Sequence, residues 1–495
     1  MEGKKKVLLN SVFYTFSSIL IKSFSFILLP VYTLYLSPAD YGVTTLVISF
    51  TAVMSIVSSL SLKASVTRFY ADYKHDQEKL KSFYSTILIF VFIFSVLISF
   101  LGYWSKDFLI KYFFNEIAFY PIILIALLNL IFACQHSLHQ SIMMGRQEGK
   151  KYTIINLIVF ILTVVANLIF LAVFNMGAEG VLLATLIINI AYFFFMIIDL
   201  IRNNLINFSF NHELLVEALK YSIPIIPHNL STSIASWVSR VVLNKNESLT
   251  AVGLYSVANQ FGLIIDTIQS SVNSAFAPWF YEMLNEKDKK TNLEIVSLSQ
   301  FLLIIYSLIY MIIGLFSQEA LLIMTNEKYD LAWTVIPIFV VAYSVKSIYF
   351  FYINILFYYK EATKKIFYAT LTGSFADIIL AVILVPKFQM YGSALAFLIA
   401  KILVVSIVIK MSKNYKHIGY KLEPMLKIII PSLIFMFAGL IFSYTNFLTE
   451  WNWYNVLYKF LVFTIYLLYI YMMHKEKIKK FYRSFKLKKQ LNKKG

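Results

Sequence analysis

With 495 residues, 59% hydrophobic and only 14% charged, and a mean hydropathy of +0.72, the chain is far below the roughly 25% charge of soluble globular proteins, which makes it an integral membrane protein. The net charge of +18 would suit nucleic acid, but its distribution excludes that reading. Cys134 is the sole cysteine, so an intrachain disulfide and a cysteine metal cluster are both excluded.

Apolar runs of spanning length fall at 11–36, 42–64, 83–103, 118–140, 153–174, 180–200, 220–243, 252–275, 297–317, 333–357, 366–386, 392–412, 426–446 and 455–474, about fourteen in all. No small-residue cleavage site follows MEGKKKVLLNSVFY, so the first run reads as a retained span rather than a signal peptide. With the amino terminus inside, the inner segments hold roughly 33 of the 44 Lys and Arg and the outer ones about six, which fixes both termini as cytoplasmic. The fold expected is an all-α polytopic membrane protein, N-in and C-in.

The first span carries Ser11, Thr15, Ser18, Lys22 and Ser25 on one helical face, with the lysine at mid-depth and a kink expected near Pro30. The turn LSPADYG leads into a second span rich in Ser and Thr that ends near Lys63. His136 and His139, one helical turn apart on the fourth span, lack a nearby carboxylate in sequence and read as a polar helix end rather than a metal site. The seventh span, KYSIPIIPHNLSTSIASWVSRVVL, repeats Asn229, Ser233, Ser236 and Arg240 on one face, and the eighth repeats Asn259, Asp266, Ser270 and Asn273. Polar stripes at membrane depth need partners or water, so these faces are expected to line a wet cavity. Asp266 and Asp377 are the carboxylates able to carry a coupling ion or to pair with a cation. Lys346 and Lys401 lie deep in the tenth and twelfth spans, where a carboxylate such as Asp377 could satisfy them.

The chain also repeats itself. Gly42 and Gly253, Asn115 and Asn326, Asp107 and Glu319, Gly180 and Gly392, and the Lys150–Lys151 and Lys364–Lys365 pairs recur at a nearly constant offset of 211 to 214. Six spans per repeat give two lobes of one orientation, related by an axis along the membrane normal. The division expected is 1–205 for helices one to six, 206–415 for helices seven to twelve, 416–474 for two helices outside the repeat, and 475–495 for a basic tail lying on anionic lipid. No P-loop is present: GRQEGKK has the wrong glycine spacing and no Ser or Thr after its lysines. Uphill transport must therefore draw on an H+ or Na+ gradient, with no bound cofactor or metal. No outer loop exceeds about fifteen residues, which leaves no room for an outer catalytic domain and argues against an enzyme.

A cation-lined cavity suits an anionic substrate, most naturally a phosphate. YTLYLSPADYG, LKYSIPIIPHNLS with SWVSRVVL and TAVGLYSVANQF, and VPKFQMYGSALAFLIAK together resemble the oligosaccharide-lipid flippases of the multidrug/oligosaccharidyl-lipid/polysaccharide exporter superfamily over nearly the whole chain. The resemblance implies a V-shaped, MATE-like fold of two lobes, alternating access, and a bacterial plasma (inner) membrane location. It implies that undecaprenyl-pyrophosphate-linked oligosaccharide, an O-antigen or capsular repeat unit, is carried to the outer leaflet. Membrane lipids and polysaccharide polymerase machinery are the partners implied, and nucleic acid is not. Lys22, Lys63 and Arg240 become the candidate pyrophosphate or sugar-phosphate contacts, with Ser18, Asn229, Ser233, Ser236, Asn259 and Asn273 around them. The acid Asp266 departs from a purely cationic lining. A peptidoglycan-precursor flippase and a cation-coupled multidrug antiporter of the same superfamily are the competing readings.

Overall fold

The computed structural model describes residues 13, 17, 20, 26–285, 289–415 and 418–491, which form helices with no strand among them. The first half contains α1 (Leu29–Tyr35), α2 (Pro38–Ser59), α3 (Lys63–Tyr73), α4 (Gln77–Trp104), α5 (Lys106–Phe113), α6 (Leu124–Gly145), α7 (Gly149–Leu168) and α8 (Gly177–Arg202). The second contains α9 (His212–Ser222), α10 (Ile226–Asn246), α11 (Leu249–Asn285), α12 (Lys289–Met324), α13 (Ile336–Tyr358), α14 (Ile366–Ser412), α15 (Leu422–Thr445) and α16 (Trp453–Leu491).

Local chemistry sets the boundaries. In LSPADYG, the Ser37 hydroxyl accepts from the Asp40 backbone N–H at 3.1 Å while Asp40 accepts from the Ser37 N–H at 3.2 Å, with Pro38 in the first turn. Both ends of this capping box satisfy donors that hydrocarbon could not. Pro30 opens α1, where its missing N–H costs nothing. The NMGAEG turn passes through Asn175 and Gly177, both with positive φ, the backbone region for which these two residue types are suited.

Eleven helical stretches among the described residues are long and apolar enough to cross a membrane. The difference from about fourteen falls at three places. Most of the first span lies outside the described residues. The seventh span is present as α10, whose polar face keeps it below the apolarity of a membrane span. The eleventh and twelfth are joined in the 47-residue α14, where Gln389 turns to φ 52° and ψ −133° just after Pro386. A Cβ on Gly392 would collide there with the Leu384 carbonyl, so glycine allows the chain to fold back on itself. The apolar faces lie outward: α7 exposes Ile154, Ile158, Ile161 and Val165, and α16 exposes Leu457, Phe460, Leu461 and Leu468. Contiguous apolar surface of this kind needs lipid, and the protein is a multi-pass membrane protein.

Two compact units are present, one of residues 1–256 with 374–393 and the other of 257–373 with 394–495. This partition follows packing, and its borders fall within α11 and α14. The division into 1–205, 206–415 and 416–474 follows the internal repeat and is a different cut.

The first unit is built on α6, which packs against α8, α4 and α3, around a core including Phe69, Phe83, Tyr84, Leu130, Met196 and Leu215. In the second, α12 and α15 interlock: a Cβ on Gly314 would meet Met436, and one on Gly439 would meet Leu315. Small residues facing large ones bring membrane helices into close contact.

The repeat is visible inside the first unit. A Cβ on Gly42 would strike the Leu249 carbonyl oxygen, and one on Gly253 would strike the Pro38 carbonyl oxygen. Pro38 and Gly42 stand 211 positions before Leu249 and Gly253, so the repeat carries each of these contacts into the other. Thr45 and Ser256, again 211 apart, share a hydrogen bond of 3.0 Å. Reciprocal contact of this type marks a local two-fold axis, here at the crossing of α2 and the start of α11. Neither crossing position has space for a side chain, which accounts for glycine at both.

Candidate functional site

On α10 the spacing of four, three and four holds, and Asn229, Ser233, Ser236 and Arg240 share a face. Asn229 donates to the Ser61 hydroxyl at 3.3 Å, and Ser233 donates to the Asn229 carbonyl at 3.4 Å. Ser236 is exposed while Arg240, one turn on, is 9% exposed. The Arg240 guanidinium donates to both the Ser236 carbonyl oxygen at 2.8 Å and its hydroxyl at 2.7 Å. It also lies 5.9 Å from the centre of the Tyr255 ring, within cation–π range. Asp377 is 8% exposed, and Arg240 and Asp377 both bear electrostatically on Tyr255. Beyond the helix end, burial pushes the Glu247 carboxyl above its usual range, opposed by a hydrogen bond with the Met390 backbone beside the α14 reversal. These groups all belong to the first unit.

Asn259, Asp266 and Asn273 belong to the second unit, on a face of α11 that meets α13. The Lys346 ammonium donates to Asp266 Oδ1 at 2.5 Å, and Asn354 donates to Asn273 Oδ1 at 2.8 Å. The Asp266 and Lys346 side chains are 21% and 24% exposed, and Lys346 also lies 5.7 Å from the Tyr343 and Phe350 ring centres. The carboxylate on Lys346 is thus Asp266, not Asp377: eighty residues along, α13 runs beside α11 and presents position 346 to it. Lys401 lies over Phe397 at 4.5 Å. Lys63 begins α3, exposed, past the left-handed turn at Leu60 and Ser61 that ends α2. Lys22 and Ser18 lie outside the described residues.

Two polar clusters escaped the sequence reading. In the first unit, His139 is a buried group, 1% exposed. Its Nδ1 lies 2.7 Å from the Tyr192 hydroxyl and its Nε2 3.1 Å from Asp199 Oδ2, and Lys151 donates to the same oxygen at 2.7 Å. His136 stacks on Tyr192 at 3.8 Å and bonds Asn189 at 2.9 Å. The carboxylate absent from the histidines' own helix arrives from α8, where Asn189, Tyr192 and Asp199 share a face. That spacing was readable. In the second unit Lys459, fully buried, donates to Glu319 at 2.6 Å and to Gln318 at 3.0 Å. Asn455 joins Gln318 at 3.3 Å, while Gln318 donates to the Phe447 carbonyl. Among the described residues, no group of three or more His, Cys, Asp or Glu is placed to hold a metal.

Comparison with known proteins places this geometry. An Lsg locus protein of Haemophilus influenzae is 25% identical over 365 residues, covering 72% of this chain and 85% of that protein. The lipid II flippase MurJ, in an inward closed conformation, superposes with a TM-score of 0.70 at 18% identity, covering 95% of this chain and 100% of the other. An inward-facing multidrug resistance MATE transporter of the MOP superfamily gives 0.62 at 15% identity, over 79% and 93%. The fold is therefore that of MOP-superfamily transporters. The family described as "Polysaccharide biosynthesis protein" matches residues 7–284, more than half of the chain, and includes α2, α10 and all but the last residue of α11. The chain belongs to the polysaccharide biosynthesis protein family.

Proposed function

We propose that the protein carries polyprenyl-pyrophosphate-linked oligosaccharide units across the bacterial plasma membrane for surface polysaccharide assembly, by ion-gradient-driven alternating access. The observation that carries this reading is the polar face of α10, with a buried guanidinium held by its own helix inside the stretch matched by the polysaccharide family. A guanidinium fixed in geometry by its own helix, and shielded from bulk water, binds phosphate oxygens more strongly than an exposed lysine does. Asn229, Ser233 and Ser236 offer hydroxyls and an amide beside it, chemistry suited to sugar or phosphate oxygens. Lys63 and Lys22 would add charge at the inner end and mid-depth of the second and first spans. Asn259 and Asn273 on α11 would serve the sugars.

Replacement of Arg240 by Ala is the direct test. Lipid-linked oligosaccharide should accumulate on the inner leaflet, and surface polysaccharide should fall, with the protein still in the membrane. Arg240→Lys should recover only part of the loss, because a point charge replaces a fork of donors. Normal surface polysaccharide in Arg240→Ala would remove this residue from the site.

The likeness to MurJ favours one second reading, a peptidoglycan-precursor cargo. A deletion strain separates the two. Accumulated polyprenyl-linked oligosaccharide with intact cell wall supports the first, whereas accumulated wall precursor and lysis support the second.

A further inference from the structure

The polar cluster of α6, α7 and α8 is built on other helices than the α10 face. We propose that His139, held between Asp199 and Tyr192, is a proton-binding site that couples the transport cycle to a proton gradient; this rests on the transporter reading above.

The geometry first accounts for a neutral imidazole. With its hydrogen on Nε2, His139 donates to Asp199 at 3.1 Å and accepts from the Tyr192 hydroxyl at 2.7 Å, so both ring nitrogens are satisfied in a site where the residue is 1% exposed. Asp199 also accepts from Lys151 at 2.7 Å and from the Asn203 amide at 3.1 Å. A proton arriving on Nδ1 requires one change at the ring: the Tyr192 O–H rotates and its oxygen becomes the acceptor. The imidazolium then lies against a carboxylate already in place. No bond but N–H forms, and the same bond breaks on release.

That step has a mechanical consequence. Asp199 would face two cations, while Glu148 Oε2 lies 3.8 Å from the Lys151 ammonium. Lys151, 32% exposed, can move to Glu148 and leave Asp199 to His139. The Lys151–Asp199 bond ties the start of α7 to the end of α8, so proton binding at one buried ring releases one helix from another. The other ionisable groups facing the site are His136 stacked on Tyr192, Tyr152 on α7, and Arg146, which bonds Glu148 at 2.7 Å. From the other sides, α4 brings the Leu88 carbonyl to Gln135 and α3 brings Thr67 to Ser141.

A polar path leads onward. His136 bonds Asn189 at 2.9 Å, and Asn189 donates to Asn129 at 2.8 Å. Gln140 donates to His136 at 3.0 Å and to Asn156 at 2.7 Å. From Asp199 to Asn189 the path rises about 15 Å along α8, half the hydrocarbon thickness. By the lysine distribution, Lys151 and Asp199 stand at the cytoplasmic end, where protons enter or leave.

Two measurements test this together. Infrared difference spectra of the full chain in nanodiscs, between pH 8.5 and pH 5.5, report imidazole protonation directly. Wild type should gain an imidazolium signal that His139→Gln lacks. In proteoliposomes, a polyprenyl-pyrophosphate-linked disaccharide should redistribute by about tenfold per proton for each unit of imposed pH gradient in wild type. His139→Gln should lose that response. An unchanged infrared signal in His139→Gln, or a full gradient response in that variant, overturns the proposal. A wild type that gains the imidazolium signal yet flips no disaccharide refutes the cargo reading and leaves the proton site standing.

Discussion

Lys459–Glu319 and Lys346–Asp266 are the same chemistry in two settings. Each is an ammonium on a carboxylate, at 2.6 and 2.5 Å, in the second unit. Lys459 is fully buried and Glu319 is 8% exposed, whereas Lys346 and Asp266 retain 24% and 21%. Around the first pair, Gln318, Asn455 and Ser443 complete a hydrogen-bonded cluster between α12, α15 and α16. Around the second stand the rings of Tyr343 and Phe350. A sealed pair can only hold helices together. A partly exposed pair can exchange its partner, and that is the property a transport site needs.

The largest effect that would break this contrast is on stability. Lys459→Met leaves Glu319 and Gln318 buried without their donor and should cost about 3–5 kcal/mol, read as a lower thermal midpoint in detergent. Lys459→Met with Glu319→Leu should recover most of that loss, since removing both partners removes the uncompensated charge. A single variant as stable as wild type would mean that the pair holds nothing together. Lys346→Met should cost only about 1 kcal/mol, because both groups stay partly exposed, while lowering export of lipid-linked glycan. Equal stability losses at positions 346 and 459 would erase the distinction.

The sequence carried most of the architecture, because membrane spans declare themselves by length and apolarity, and glycine repeats mark close crossings. Gly42 and Gly253 were legible as a repeat, and the structure gives the reason: they face each other's repeat across a contact with no space for Cβ. The stripe of α10 was legible from its period alone. Partnership was not. Lys346 lies 80 positions from Asp266, Tyr192 53 from His139, and Lys459 140 from Glu319; which helix stands beside which is decided by packing, not by spacing. The carboxylate partner of His139 was missed for this reason, being on another helix. Lys22 and Ser18, assigned from the stripe of the first span, lie outside the described residues, so their assignment rests on periodicity.

The smallest structural effect is expected from Asp266→Asn, which keeps the shape of the side chain and an oxygen acceptor for Lys346. Its stability should stay within about 0.5 kcal/mol of wild type, as for a partly exposed pair. Its value lies in the proton question. Asp266 is a candidate for carrying the coupling ion, but its Oδ1 is occupied by an ammonium at 2.5 Å, whereas the imidazole of His139 has a hydroxyl beside it that can reverse its hydrogen bond. In proteoliposomes under a pH gradient, Asp266→Asn should therefore keep the gradient response that His139→Gln loses. Loss of the response in Asp266→Asn alone would move the proton from the first unit to the second, and the open ion pair, rather than the buried histidine, would then be the coupling site.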